Sequence, residues 1–384
     1  MRIIMPSFER LEWMPPTINL LKKLDKFGHE VVFISLFPSE FLQKLNLKNV
    51  TNISLYPNEI SLQKKIKYIH GLSGLLYRID VLIKKIISLK LKSVIDAELK
   101  IGGYLWVVNE MTILLAGKKF LKNKKYSFLI YELHEQQFYA RNIEYVAKNA
   151  ESVVVPEYCR AHIMKSRYQL KKLPFILPNK SDIELDELHL SNNAKNAINE
   201  INKIKEDGFK VLVYMGGIGT ERPLEGLLDA IRVTGNLKLV ILGRDSEYLS
   251  YLLKTYDDVI VYLGSYAPPE HLAVARNADI GVLNYVSINQ CQGLNALFCA
   301  PNKIYEYTGL GLPIIANDIP GLRFDVSYYK CGELVDYNNV NSVKSAIEII
   351  INNYLDYSDA AKKYYDSIDV DAIIKNILAS FSEK

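Results

Sequence analysis

Three groups of residues have the types and spacing to do chemistry. The first is Ala300-Pro301-Asn302-Lys303-Ile304-Tyr305-Glu306-Tyr307, which runs on into Gly309-Leu310-Gly311-Leu312-Pro313. Asn302 stands where a helix would be capped, just after Pro301, and the free amides of a first helical turn favour an anion. Lys303 adds a full positive charge there, and Glu306, about one turn on, can accept hydrogen bonds from a ribose. These are the parts of a nucleoside-diphosphate site. The same residues also read as a plain helix start, with Asn302 as cap, Glu306 as the far half of a capping box and Lys303 in water.

The second group is Tyr214-Met215-Gly216-Gly217-Ile218-Gly219-Thr220-Glu221-Arg222-Pro223, between a strand-like run and a helical one. Gly216 and Gly217 let backbone amides approach a phosphate, and Arg222 can clamp oxygens in bidentate fashion. Tight strand-to-helix turns also use glycine for structural reasons alone, and the segment is neither GxGxxG nor a P-loop. The third group is Tyr131-Glu132-Leu133-His134-Glu135 at a strand end. An imidazole at a strand end can hydrogen-bond a ligand or take a hydroxyl proton, which makes His134 a candidate catalytic residue. Its alternative is a structural histidine bonded to a carbonyl. Glu135 is a second candidate catalytic residue, or a solvated charge. Asn109-Glu110, after another strand, receives no role.

The elements that must position these groups alternate in period. In the first half, strands read at Arg2–Met5, Val31–Ile34, Trp106–Val108, Phe128–Tyr131, Ser152–Val155 and Phe175–Leu177, with a helix at Pro16–Phe27. In the second, strands read at Lys210–Met215, Leu237–Leu242, Val259–Leu263, Ile280–Leu283 and Pro313–Ala316. Helices lie near Leu224–Val233, Ser246–Thr255, Pro269–Arg276, Lys303–Leu310 and Val340–Tyr354, with a last one at Asp371–Phe381. Strand, helix and strand within some thirty residues make βαβ units and parallel sheets. The expected fold class is α/β: two Rossmann-like, doubly wound domains facing across a cleft, with ligands at the strands' carboxyl ends. The expected division is 1–180 as the first Rossmann-like domain, 181–208 as a connecting segment, 209–368 as the second, nucleotide-binding domain and 369–384 as a helix returning to the first.

Composition narrows the classes. Apolar residues make up 49% and charged residues 23%, the balance of a water-soluble globular chain. The N-terminus lacks the basic and apolar regions of a signal peptide, and no apolar run is long enough to span a bilayer. Cys159, Cys291, Cys299 and Cys331 lack CxxC spacing, so reduced thiols, no metal site and a cytoplasmic location are expected. Residues 1–180 hold 29 Lys and Arg against 15 acidic residues, a net +14, while the remainder holds 18 against 28, a net −10. A basic half points to an anionic surface. Residues 62–100 read as two helices carrying Lys64, Lys65, Lys84 and Lys85, either lying on anionic lipid at the inner face of the membrane or packing apolar faces inward with lysines in water. No nucleic-acid recognition motif occurs, so no nucleic-acid partner is expected.

These motifs, in this order, resemble the retaining glycosyltransferases of the two-Rossmann architecture called GT-B, especially family 4 of bacterial surface-polysaccharide enzymes. The family's glycine loop with a downstream basic residue is matched by Gly216, Gly217 and Arg222, although the family usually has lysine there. Its interdomain V-I-P-N element is matched by Ile176-Leu177-Pro178-Asn179, and its Y-D-x-H-E motif by Tyr131–Glu135. The family carries two glutamates eight positions apart, the first on the donor sugar and the second on the ribose; Glu306 matches the second, and the first falls on Phe298. The resemblance implies a hexosyl transfer from a nucleotide-sugar, a UDP-sugar by expectation, to a saccharide or lipid-linked saccharide acceptor. It implies no cofactor and no metal. The same architecture serves nucleotide-sugar epimerases, and a non-catalytic partner subunit would keep the fold without the chemistry.

Overall fold

Short runs of Val, Ile and Leu that leave no polar face can only be buried on both sides, which is the condition of a parallel strand covered by helices. The strands obey it: in β1 (Arg2–Pro6), β2 (Glu30–Ser35), β4 (Tyr104–Val108) and β8 (Lys210–Met215) all residues but the first are buried. The protein, in a computed structural model, is described at residues 1–56, 73–185, 188–285 and 293–382, with backbone alone at 73–81 and 382.

The chain divides into two units, Met1–Pro178 with Val370–Lys384, and Asn179–Asp369. Each is built on one parallel sheet. The first orders its strands β3-β2-β1-β4-β5-β6-β7, where β3 is Val50–Ser54, β5 Tyr126–Leu129, β6 Ser152–Val155 and β7 Phe175–Ile176. The second runs β10-β9-β8-β11-β12-β13, with β9 Leu237–Leu242, β10 Ile260–Gly264, β11 Ile280–Leu283, β12 Ile314–Asn317 and β13 Gly332–Val335. In both, strand order reverses once, between β1 and β4 and between β8 and β11. These are the switch points at which loops diverge and leave room for a ligand. Both faces of the second sheet are covered: Val211, Val213 and Met215 join one apolar cluster, Leu212 and Tyr214 the other.

The structure departs from the sequence reading in three places. Strands β3 and β13 carry no continuous apolar run, because each is the edge of its sheet and half-exposed. The expected helix pair at 62–100 is, over its described part, one helix, Ser73–Ile101, with neither Gly nor Pro after Gly74 to interrupt it; residues 62–72 lie outside the described residues. The segment 181–208 is not a connector. Its helix Asn192–Glu206 buries Ala194, Ala197, Ile201 and Ile204 in the second unit's core, a helical period masked in the sequence by the small size of alanine.

The last helix, Val370–Ser382, is part of the first unit. Phe381 stacks on Tyr104 at 4.0 Å between ring centroids, and Asp371 Oδ1 meets the buried Lys23 ammonium at 2.7 Å. The hydrogen bond to Lys23 holds the Asp371 carboxyl below its usual range. A carboxyl lowered in the folded state contributes stability above its unfolded value and loses it as pH falls through the folded one. Asp371→Asn should therefore cost about 1.5–3 kcal/mol at neutral pH, and the difference from the parent should shrink on acidification below about pH 4; urea melts at several pH values measure both.

Candidate functional site

The second unit's site starts from one aromatic ring. The ring of Tyr307, on the helix Asn302–Gly309, lies so close to Gly281 of β11 that a Cβ there would sit 2.4 Å from it. The Tyr307 hydroxyl accepts the Met215 N–H at the end of β8, 3.0 Å away. The helix is thus fixed to both strands of the switch point. Beyond Met215 the backbone turns through Gly216 at φ +123, a conformation that L side chains rarely adopt. A Cβ on Gly216 would come within 2.7 Å of Lys303 Cε and Nζ, so the lysine stem lies directly across the glycine. The two groups singled out in the sequence are in contact.

Burial lowers the Lys303 pKa, with Glu306 opposing and the Arg222 charge reinforcing the shift. Lys303 and Glu306 have no hydrogen-bond or ion-pair partner among the described residues. The Arg222 guanidinium stacks over the Tyr285 ring, 4.8 Å from its centroid. Burial works to lower its pKa, but Tyr285 and Tyr214 outweigh this and raise it, so the charge is kept. Tyr214 in turn donates to the Gly217 carbonyl at 2.8 Å and braces the glycine turn.

The helix start differs from expectation. Its cap position is Pro301, extended at ψ 136, and Asn302 is the first helical residue. No side chain caps the helix, and a proline cap has no N–H, which removes the capping-box reading of Glu306. The first-turn amides therefore have no side-chain acceptor from the cap position. Asn179 holds the turn before them, its Nδ2 donating to the Ala300 carbonyl at 2.8 Å. Phe298 is half-buried at the end of the short helix Leu294–Leu297. His271, on the helix Glu270–Ala275, interacts electrostatically with Glu306 and Lys303, and its buried Nδ1 has no partner among the described residues. Burial, countered by Glu306 and assisted by Lys303, lowers its pKa. Nothing in the sequence marks this histidine, because the contact joins helices far apart in the chain.

A second constellation occupies the switch point of the first unit. Thr112 donates to the Pro6 carbonyl at 3.2 Å and draws the chain after β4 against the end of β1. Asn109 has φ +57, a left-handed conformation that asparagine tolerates better than most residues. Its Nδ2 donates to Glu9 Oε1 at 3.0 Å, and its Oδ1 accepts the Tyr131 N–H at 3.2 Å. His134 Nε2 stands 3.2 Å from Glu110 Oε2, and the imidazole rests against the Tyr139 ring. The carboxylate beside His134 is thus Glu110; Glu135 is exposed. Next to Glu9 a pocket of about 240 Å³ opens, walled by Phe8, Phe33 and Phe37 with Glu12 and Ser39. Lys84 and Lys85 are exposed on the helix Ser73–Ile101, while Lys64 and Lys65 lie outside the described residues.

Residues 195–366 match the family model described as Glycosyl transferases group 1. The matched stretch lies within the second unit, Asn179–Asp369. Solved structures share the architecture over the whole chain. Sucrose-phosphate synthase from Thermosynechococcus elongatus is similar at TM-score 0.67 and 15% identity, covering 100% of this chain and 98% of that one. Anabaena HepE in complex with UDP is similar at 0.68 and 13% identity, with 100% of both chains covered. A glycosyltransferase from Rickettsia africae is similar at 0.67 and 12% identity, covering 99% and 97%. No curated protein matches the chain in sequence. At these identities the structural likeness establishes the fold alone: two parallel-sheet, Rossmann-like α/β domains.

Asn179 supplies a test of how the helix start is held. Asn179→Ala leaves the Ala300 carbonyl without its donor, and should cost about 1–3 kcal/mol in a denaturant melt.

Proposed function

We propose that the protein is a glycosyltransferase that moves a hexosyl group from a nucleotide-sugar, most simply a UDP-sugar, to a saccharide acceptor. The observation that carries this reading is Lys303 lying across Gly216 beside an uncapped helix start, with Arg222 at the end of the same glycine turn. Two cations and a set of backbone amides at a strand-order switch point fit a diphosphate that gains negative charge as the glycosidic bond breaks. Glu306, unpartnered one turn further on, fits a ribose. HepE, of the same fold, is described in complex with UDP. Neutralisation of the leaving group by Arg222, Lys303 and the helix amides needs no cofactor and no metal.

In the first unit the 240 Å³ pocket, with three phenylalanines and two carboxylates, fits a sugar ring that has one apolar face and hydroxyls at its rim. Retention of the anomeric configuration follows from the family resemblance, and the anomeric proton coupling of the product measures it. Phe298, where the family has its donor-sugar glutamate, favours one second reading: a subunit that binds the nucleotide without turning it over. A nucleotide-sugar panel that gives UDP binding and no transfer or hydrolysis would support that reading instead.

Lys303→Ala and Arg222→Ala should each weaken UDP binding by about 1.5–3 kcal/mol, the worth of a charge-assisted hydrogen bond. Titration calorimetry with UDP decides it, and unchanged affinity in both variants sinks this placement of the site.

We further propose that the acceptor is lipid-linked and that the enzyme works in surface polysaccharide assembly, peripherally on the cytoplasmic face of the membrane. On the helix Ser73–Ile101, Leu82, Ile86 and Leu89 recur on one face and are 57%, 47% and 60% exposed, with Lys85 beside them. An exposed apolar stripe with a lysine at its edge suits the interface of an anionic bilayer, where each basic side chain is worth about 1 kcal/mol. Among the described residues no helix is long and apolar enough to cross a membrane. Co-sedimentation should require anionic vesicles, fade with salt and fall when Lys64, Lys65, Lys84 and Lys85 become Gln. Equal partitioning onto neutral and anionic vesicles, or none onto either, returns the lysines to a solvated face.

A further inference from the structure

We infer that Glu110 is the positioning residue of His134, and that Glu9, Asn109, Glu110 and His134 form one acid–base unit at the switch point of the first sheet. Three neighbouring strands, β1, β4 and β5, each deliver a member from the loop at its carboxyl end. Glu110 Oε2 stands 3.2 Å from His134 Nε2, and His134 Nδ1 has no hydrogen bond among the described residues. His134 Nε2 is buried without an aligned hydrogen bond, and a small turn of the imidazole toward the Glu110 carboxylate would give Nε2–H its acceptor and keep the Nδ1 lone pair bare, which is the state required of a base.

The neighbouring carboxyls are pushed apart. For Glu9, burial comes first and the Glu110 charge second, both raising its pKa, with the Asn109 hydrogen bond opposing. For Glu110, burial acts upward, but hydrogen bonding to His134 and to the backbone brings it below its usual value. The Glu9 carboxyl is thus raised and the Glu110 carboxyl lowered, shifts of opposite sign in neighbouring groups. The other charged groups facing the unit are Glu132, which also raises Glu9, and Arg160, which donates to the Tyr131 carbonyl and lies 3.5 Å from Glu132. Among the described residues no Lys or Arg forms an ion pair with Glu110, so the imidazole is its counterpart.

The unit's use in transfer rests on the proposed reading above. A saccharide hydroxyl bound in the first unit donates its hydrogen bond to His134 Nδ1, and the Glu110 carboxylate steadies the positive charge this draws onto the ring, while Glu9, bonded through Asn109, faces the same carboxylate.

Nitrogen-15 NMR of the histidine side chains in the intact chain reads the arrangement, with His134→Gln to assign the signal. The expected neutral ring is protonated at Nε2 and bare at Nδ1, and Glu110→Ala should abolish that preference. In the isosteric Glu110→Gln, the Glu9 carboxyl should titrate at lower pH than in the parent, because the charge that raises it is gone. A tautomer unchanged in Glu110→Ala, or a Glu9 titration unmoved in Glu110→Gln, overturns the inference. UDP affinity should stay within about twofold in both variants, and kcat of the transfer reaction should fall at least about tenfold in Glu110→Ala; an unaltered kcat removes the unit from the chemistry. Failure of the parent to bind UDP would overturn the donor reading and leave the NMR result to decide the unit by itself.

Discussion

The second unit's chemistry depends on the contact between Tyr307 and the two central strands. A glycine at position 281 is what lets the ring reach the sheet, and the Met215 N–H is what the hydroxyl finds there. With the ring in place, Lys303 on the same helix lies across Gly216, just past the end of β8. Remove the ring's seat and the two motifs become unrelated loops. Glycine is therefore used for two reasons in one site: at Gly281 for close approach, at Gly216 for both close approach and a positive φ.

The two sheets solve the placement problem in parallel ways. In each, the chain after a central strand is tied to its neighbour by hydrogen bonding from outside the ladder: Tyr307 with Met215 in the second unit, Thr112 with Pro6 and Asn109 with Glu9 in the first. Each tie closes the space at a strand-order reversal enough to bring charged side chains together, yet the chemistry differs. The second unit collects cations and amides; the first collects carboxyls and an imidazole.

Much of this was legible in the sequence wherever burial was two-sided. The apolar runs of β1, β2, β8 and β9 announce themselves, and the glycine turn and the Pro301–Glu306 segment stand out because their residue types are unusual at strand and helix ends. The edge strands β3 and β13 escaped because half-exposed strands carry polar residues. The helix Asn192–Glu206 escaped because its buried face is largely alanine. Glu110 and His271 escaped for another reason: their partners, His134 in one case and Lys303 with Glu306 in the other, lie distant in sequence, and no local pattern records a tertiary contact. The cap was misplaced by one residue because asparagine is the commoner cap, while here the fixed φ of Pro301 begins the helix.

That proline has a thermodynamic consequence. A helix that starts behind serine or aspartate closes its own first turn, and its stability is an internal matter. The turn at Asn302 has no such internal closure, so whatever anion docks against its amides acts as the missing cap. Occupancy and local order then become a single equilibrium: every tenfold rise of ligand above its Kd adds about 1.4 kcal/mol to the folded state, delivered at the segment from Ala300 to Glu306. The empty protein would exchange its amide hydrogens fastest there, and the filled one would make the same stretch a protected one.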